Sequence, residues 1–327
     1  MLDVRLGSPQ QHQQLTIYPL LTPNERELSC LLLIEAINTS LVEITEKGTG
    51  TVPTLIARNN ADTDVLIVDG EQLIGARQNR MTNRSILLPA RSETEIPVYC
   101  MEQGRWHHQS RAMSTKDYMS PSKVRRHARK TEALHTERGI VASAQMLSSA
   151  QGDVWSEIRE VSGKLGAHSP TGALNEAYDQ NVVSIDEWLR HFSAVPEQVG
   201  LLAFAHDQPL GLDVIGGRAL YARLHQRLLY GYVVDALTSE QHATSTAPVT
   251  AEQYLQLVRT ARKTESPTVG AGSYAVLSGT VVGGELSKAE TLVHLSAFPR
   301  DEREERAYPQ QRVSESPVAP PSRRKRR

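Results

Sequence analysis

Short apolar runs, not long amphipathic stretches, set the pattern of the first third of the chain. Leu15–Leu21, Val42–Thr45, Leu55–Arg58, Val65–Val68, Gln72–Ala76, Ser85–Leu88 and Glu95–Tyr99 all have strand length and are separated by Pro, Gly, Asn and Asp. Runs of this length at this spacing predict an antiparallel, sandwich-like arrangement of sheet. Cys30–Ile37 fits either a strand or a short helix. Asp69-Gly70 lies between two of the runs and predicts a hairpin with a type I′ turn, whose two central residues both need positive φ. Residues 1–14 are polar and Gln-rich and read as a loose start.

Near Trp106 the pattern changes. Ser120-Pro121 predicts the cap and first position of a basic helix running to about Arg138. Val154, Ile158, Val161 and Leu165 recur at helical spacing and stop before Gly166. Ser184 with Glu187 predicts a capping box opening a helix around Trp188, and Thr250 with Gln253 predicts another. Val199–Ala205 and Leu210–Ile215, around Asp207-Gln208, read as a second hairpin. After Gly216-Gly217, Leu220, Leu224, Leu228, Leu229, Tyr232 and Val233 mark the core face of a longer helix. Ser273–Leu277, Thr280–Gly284 and Thr291–Ala297 read as closing strands.

The fold class that follows is α+β. An antiparallel β-rich, sandwich-like N-terminal part continues into a mixed helix/strand part of the same domain. The expected boundaries are 15–299, strand-rich over 15–104, helical over 105–197 and mixed over 198–299. Past Phe298 the composition turns to Pro, Ser, Glu and Arg, too little apolar surface to offset ordering, so 300–327 reads as a disordered charged tail.

Composition narrows the setting. No apolar run in the 327 residues approaches the ~20 residues of a membrane helix, and the first residues carry no charged-then-apolar leader. Cys30 and Cys100 are too few for a disulfide framework or a four-cysteine zinc site. A cytoplasmic location is therefore expected. The net charge of −1 conceals segregation: residues 105–138 hold nine basic and three acidic side chains, and 300–327 hold nine and five. The remainder is strongly acidic, so near-neutrality says little about partners.

The chemistry concentrates between Asp69 and Trp106. Arg77, Gln78, Asn79, Arg80 and Arg105, with Asp69 nearby, are the expected ligand-binding residues, because guanidinium forks pair bidentately with phosphate or carboxylate. Glu71 and Glu102 are the candidate catalytic acid/base pair, and a divalent metal would be within their chemistry, although no motif specifies one. Asp213, a carboxylate inside an apolar strand, demands a partner. Cys100 reads as a buried strand cysteine, and His107-His108 matches no zinc spacing. The basic run Lys123–Lys130 leaves a nucleic-acid or scaffold role open.

The stretch Leu66-Ile-Val-Asp-Gly-Glu-Gln-Leu-Ile-Gly-Ala-Arg-Gln-Asn-Arg80, with Ser85–Pro89 and Ile96-Pro-Val through Glu102-Gln-Gly-Arg-Trp106, resembles the ARPP domain. That is the ADP-ribosylglycohydrolase and rhodanese-phosphatase-superfamily-associated protein domain. Gly152–Trp155, Ser169–Leu174, Leu210–Asp213 and Val293–Phe298 resemble its later blocks, so the likeness runs over about 15–298. It implies one domain and a role in NAD- or ADP-ribose-linked processing. The partner it implies is a small anionic nucleotide-type ligand or an ADP-ribosylated protein. The alternative it leaves is a hydrolase acting on that ligand class through Glu71 and Glu102.

Overall fold

A computed structural model describes residues 2–24, 28–51, 53–140, 144–241 and 249–300. Apart from Arg300, the expected tail lies outside the described residues. The largest sheet has nine strands and draws on both ends of the described chain. β1 (Arg5–Leu6), β2 (Gln10–His12) and β3 (Leu15–Leu21) join β13 (Gln198–Ala205), β14 (Gln208–Ile215), β15 (Arg262–Ser266), β16 (Ser273–Ser278), β17 (Val281–Lys288) and β18 (Thr291–Pro299). The order is β1-β3-β13-β14-β18-β17-β16-β15, with β2 also on β3. A three-stranded sheet orders β10 (Ile86–Leu88), β7 (Val65–Ile67) and β4 (Leu31–Leu32). Six more strands form the third sheet: β12 (Met113–Met119), β8 (Glu71–Gly75), β9 (Arg80–Thr82), β11 (Ser92–Cys100), β6 (Thr54–Asn59) and β5 (Val42–Thr51). The helices are α1 (Leu33–Asn38), α2 (Ser122–Glu137), α3 (Ala144–Lys164), α4 (Leu174–Leu189), α5 (Arg218–Leu237) and α6 (Ala251–Thr260).

Strand alternation explains how the large sheet is covered on both faces. Along β13, Leu201 and Ala203 face one core, with Leu224 and Leu228 of α5 and Val124 and Ala128 of α2. Leu202 and Phe204 face the other, with Tyr254, Leu255 and Val258 of α6. A third core, built on Ile44, Leu55, Ile67, Leu73, Ile86 and Val98, ties the two smaller sheets together.

The α+β class holds, with the strand-rich first part expected. Several local expectations are corrected. The start is not loose: β1 and β2 both pair with β3. Asp69-Gly70 is a turn, with the Glu71 N–H donating to the Val68 carbonyl at 3.2 Å, but only Gly70 has positive φ, at 81°. The strands it joins lie in different sheets, so the expected type I′ hairpin does not form. The I′ pattern occurs instead at His206-Asp207, both with positive φ, where β13 and β14 form the second hairpin. Ser184 sits inside α4, which begins at Leu174. Strands β9, β12 and β15, of which β9 and β12 are short or interrupted in pairing, had no clear apolar signature.

Candidate functional site

Period-two alternation on β18 sends His294, Ser296 and Phe298 to the same face, opposite Asp213, whose Cα is in register with that of Ser296. Arg125 of α2 enters between this row and the Asp69 turn. Its guanidinium bonds Asp213 twice, Nη2 to Oδ1 at 2.6 Å and Nη1 to Oδ2 at 2.9 Å, and Nη2 also bonds the Asp69 carboxylate. The guanidinium carbon lies 4.9 Å from the Phe298 ring centroid. Ser296 donates to Asp69 at 2.9 Å and the Tyr232 hydroxyl donates to Asp213 at 2.8 Å. A carboxylate only accepts, so the His294 Nε2–H donates to Asp213 at 3.0 Å, leaving Nδ1 against the Ser85 hydroxyl at 2.5 Å. The order Ser85–His294–Asp213 is that of a proton relay, but all three are buried, and the Ser85 oxygen also accepts the Asp69 N–H at 3.0 Å.

Burial works to raise the Asp213 pKa, but Arg125 and His294 overrule it and hold the carboxyl well below the usual range. Asp69, Asp213 and His294 offer atoms all within 4.8 Å of one another, a spacing that suits a metal ion. The donor set does not fit one as it stands, because the Arg125 guanidinium already spans both carboxylates. Gly70 leaves room for that arginine: a Cβ there would sit 2.6 Å from its Cδ. A second buried set lies one turn further along α2, where Arg129 bonds Glu132 at 2.6 Å and the Tyr274 hydroxyl, and Arg84 bonds Glu132.

The expected site residues fall into three places. Asp69 belongs to the Arg125 network. Glu71 is buried and accepts from Arg227 at 2.8 Å, while Glu102 accepts from Arg105, from Thr171 at 2.6 Å and from the Asn79 N–H at 3.1 Å. Burial pushes against the Glu102 charge, but these bonds from Arg105, Thr171 and Asn79 hold its carboxyl below the usual range. Glu71, Glu102 and Asp213 thus serve three different arginines and do not share one centre.

Arg105 is buried as well. It clasps Glu102, the Ala76 carbonyl at 2.8 Å and the Asn79 side-chain oxygen at 3.0 Å, fixing the segment 105–112 against the end of β8. Ser110 completes the clasp by accepting the Ala76 N–H at 3.0 Å and donating to the Ala112 carbonyl at 2.7 Å.

That segment and β5 enclose an open groove of about 540 Å³ lined by Thr45, Glu46, Gly48, His108, Gln109, Ser110 and Arg111. Arg77 stands on its rim: Nε donates to His108 Nε2 at 3.0 Å, its backbone N–H donates to Glu46 at 3.3 Å, and its guanidinium lies 6.0 Å from the ring centroid of the exposed Trp106. Behind Glu46, Arg80 is fully buried and donates to Gln78 at 2.7 Å and to the Cys100 sulfur at 3.0 Å. Burial pushes the Cys100 thiol up to about 11, which keeps it out of nucleophilic chemistry at neutral pH.

Of the residues expected to bind a ligand, Arg77 stands beside the groove, Arg80 and its partner Gln78 are buried behind Glu46, Asn79 and Arg105 hold the segment 105–112, and Asp69 belongs to the Arg125 network; Glu102, expected as an acid/base, pairs with Arg105. Sequence reading missed Glu46, His108 and Arg111 as lining residues, and Arg125, His294 and Tyr232 as partners of Asp213. The i, i+4 spacing of Arg125 and Arg129, on the same face as Val124, Ala128 and Ala133, was the available signal for two inward arginines.

A protein-family model described as the ARG and Rhodanese-Phosphatase-superfamily-associated Protein domain, ARPP-1, matches residues 3–298. No curated protein and no solved structure matches. No described helix is long and apolar enough to cross a membrane.

Proposed function

The chain belongs to the ARPP-1 family, and from that premise we propose that it binds ADP-ribose, a related nucleotide or an ADP-ribosylated partner in the groove between β5 and residues 105–112. One observation carries this reading. A groove of about 540 Å³, within the ~300–1,000 Å³ of small-molecule sites, brings Arg77, His108 and Arg111 together beside the exposed Trp106. The guanidinium groups of Arg77 and Arg111 suit a pyrophosphate, and an exposed indole suits stacking by a base. The family's association with ADP-ribosylglycohydrolases supports the ligand class.

Hydrolysis through Glu71 and Glu102 is less well supported by the geometry. A general acid needs its proton near neutral pH, whereas Glu102 is held as a carboxylate by Arg105 and Glu71 is closed off by Arg227. The nucleic-acid reading also loses ground, because Arg125 and Arg129 of the basic helix point inward and are paired. Calorimetric titration with ADP-ribose, ADP, NAD and phosphate tests the proposal. Arg77→Ala and Arg111→Ala are each expected to weaken the best ligand by about tenfold, as for loss of one charge-assisted contact. Absence of binding by every ligand, or full affinity in both variants, overturns it.

A further inference from the structure

We propose that Arg80, buried behind the Glu46 wall of the groove, is a concealed anchor for a phosphoryl group, and that Glu46 occupies the anion's place until the ligand enters. The inference rests on the groove being the binding site. A guanidinium has two edges, and in Arg80 they are treated differently. Nη1 is engaged by Gln78 at 2.7 Å and by Cys100 at 3.0 Å. Nε and Nη2, the side-on fork that meets two oxygens of a phosphate or carboxylate, are buried and have no hydrogen-bond partner.

The nearest carboxylate on that edge is Glu46. Its Oε1 lies 3.8 Å from Nη2, beyond hydrogen-bond length, and accepts the Arg77 backbone N–H at 3.3 Å instead. Its Oε2 is buried and also lacks a partner. Opposite charges thus sit side by side in a shielded place without closing their bonds, an arrangement that favours a better-matched anion. Glu46 itself lines the groove, so turning its side chain outward connects the fork with the opening. The backbone permits this: the regular ladder between β5 and β6 runs through Glu46 and is interrupted directly after it.

The ligand chemistry is a phosphoryl group, either free or carried by a nucleotide, and two probes separate these sources. The full chain is titrated with inorganic pyrophosphate and with ADP-ribose, as wild type, Glu46→Gln, Arg80→Lys and the double variant. Removing the competing charge in Glu46→Gln is expected to tighten pyrophosphate by about tenfold, because the competent state no longer has to displace a carboxylate. Lysine keeps a charge but has no side-on fork, so the double variant is expected to lose that gain. If Arg80→Lys does not fold, the Glu46→Gln arm decides alone.

Unchanged or weaker binding of both probes in Glu46→Gln overturns the inference while leaving the groove as a nucleotide site. Tighter pyrophosphate with no ADP-ribose binding in any form upholds the anchor and overturns the ADP-ribose reading. Binding of neither probe overturns both.

Discussion

Arg125 is the residue on which the interior depends, because it is the cation for two buried carboxylates at once. Asp213 reaches it through two bonds and Asp69 through one, and all three side chains are almost wholly out of water. Removing one partner of such a set leaves the others uncompensated, which costs more than the pair contributes over an apolar replacement. Arg125→Met, matched in length and lying over the Phe298 ring, is expected to destabilise by about 3–5 kcal/mol or to prevent folding. Urea unfolding followed by circular dichroism measures this; a loss under ~1 kcal/mol would show that the network is not held by charge. The sequence announced only half of this arrangement. Asp213 was legible because a carboxylate between Leu212 and Val214 cannot stand alone. Arg125 was not, because Lys123–Lys130 reads as a solvated basic face, and nothing local says that two of its arginines turn towards the sheet.

Between elements, the decisive contacts come from far along the chain. The first turn of α2 is capped not by Ser120 but by Asp235, near the end of α5, whose carboxylate accepts the backbone N–H groups of Ser122 at 2.5 Å and Lys123 at 3.4 Å. Burial pushes the Asp235 carboxyl up to about 6, against the lowering influence of Lys123 and the Ser122 bonds. The folded protein therefore holds a proton that the unfolded chain, with an Asp pKa of about 3.9, has already released. The stability linked to that proton is fully present below about pH 4 and is lost as pH rises through about 6. Asp213 and Glu102 act in the opposite sense, since their folded carboxyls are lowered and their contribution is lost on acidification. Against an Asp235→Asn variant, which lacks this titration, wild-type stability is expected to fall by up to about 1.4 kcal/mol per pH unit between about pH 4 and 6. Denaturation at pH 4.5, 5.5 and 7 checks it; a difference that stays level or grows with pH refutes the assignment. The cap was illegible because its two parts lie 113 positions apart, whereas Thr250 and Gln253, three apart, were read correctly. Asp69-Gly70 failed for the same reason: its turn is local, but the partners of β7 and β8 are not.

At the scale of the molecule, the two ends of the described chain are bound into one sheet. β3 pairs with β13 along nearly its whole length, and Leu15, Ile17 and Leu20 are buried against both cores. A strand-rich first part and a mixed second part were visible in the apolar pattern, but not that the first long strand leaves its sequence neighbours for the C-terminal sheet. That pairing has a measurable consequence. Every residue of β13 is buried, so removing residues 1–21 would expose a long apolar edge and strip β3 from both cores. Unprotected edges of this kind pair with other chains. A chain beginning at Thr22 is therefore expected to aggregate on expression, and a synthetic peptide of residues 1–21 added during refolding is expected to restore soluble protein by supplying the missing strand. If β3 were a dispensable extension, the shortened chain would instead be soluble, with native near-ultraviolet dichroism and a single unfolding transition. The groove makes the outcome informative about the site as well, because its lining comes from β5 and residues 108–111, both in or beside the six-stranded sheet and remote in pairing from β3. If the groove binds as proposed, restored solubility should bring back pyrophosphate or ADP-ribose binding in the same proportion, whereas binding by the shortened chain alone would mean that the smaller sheets fold without the large one.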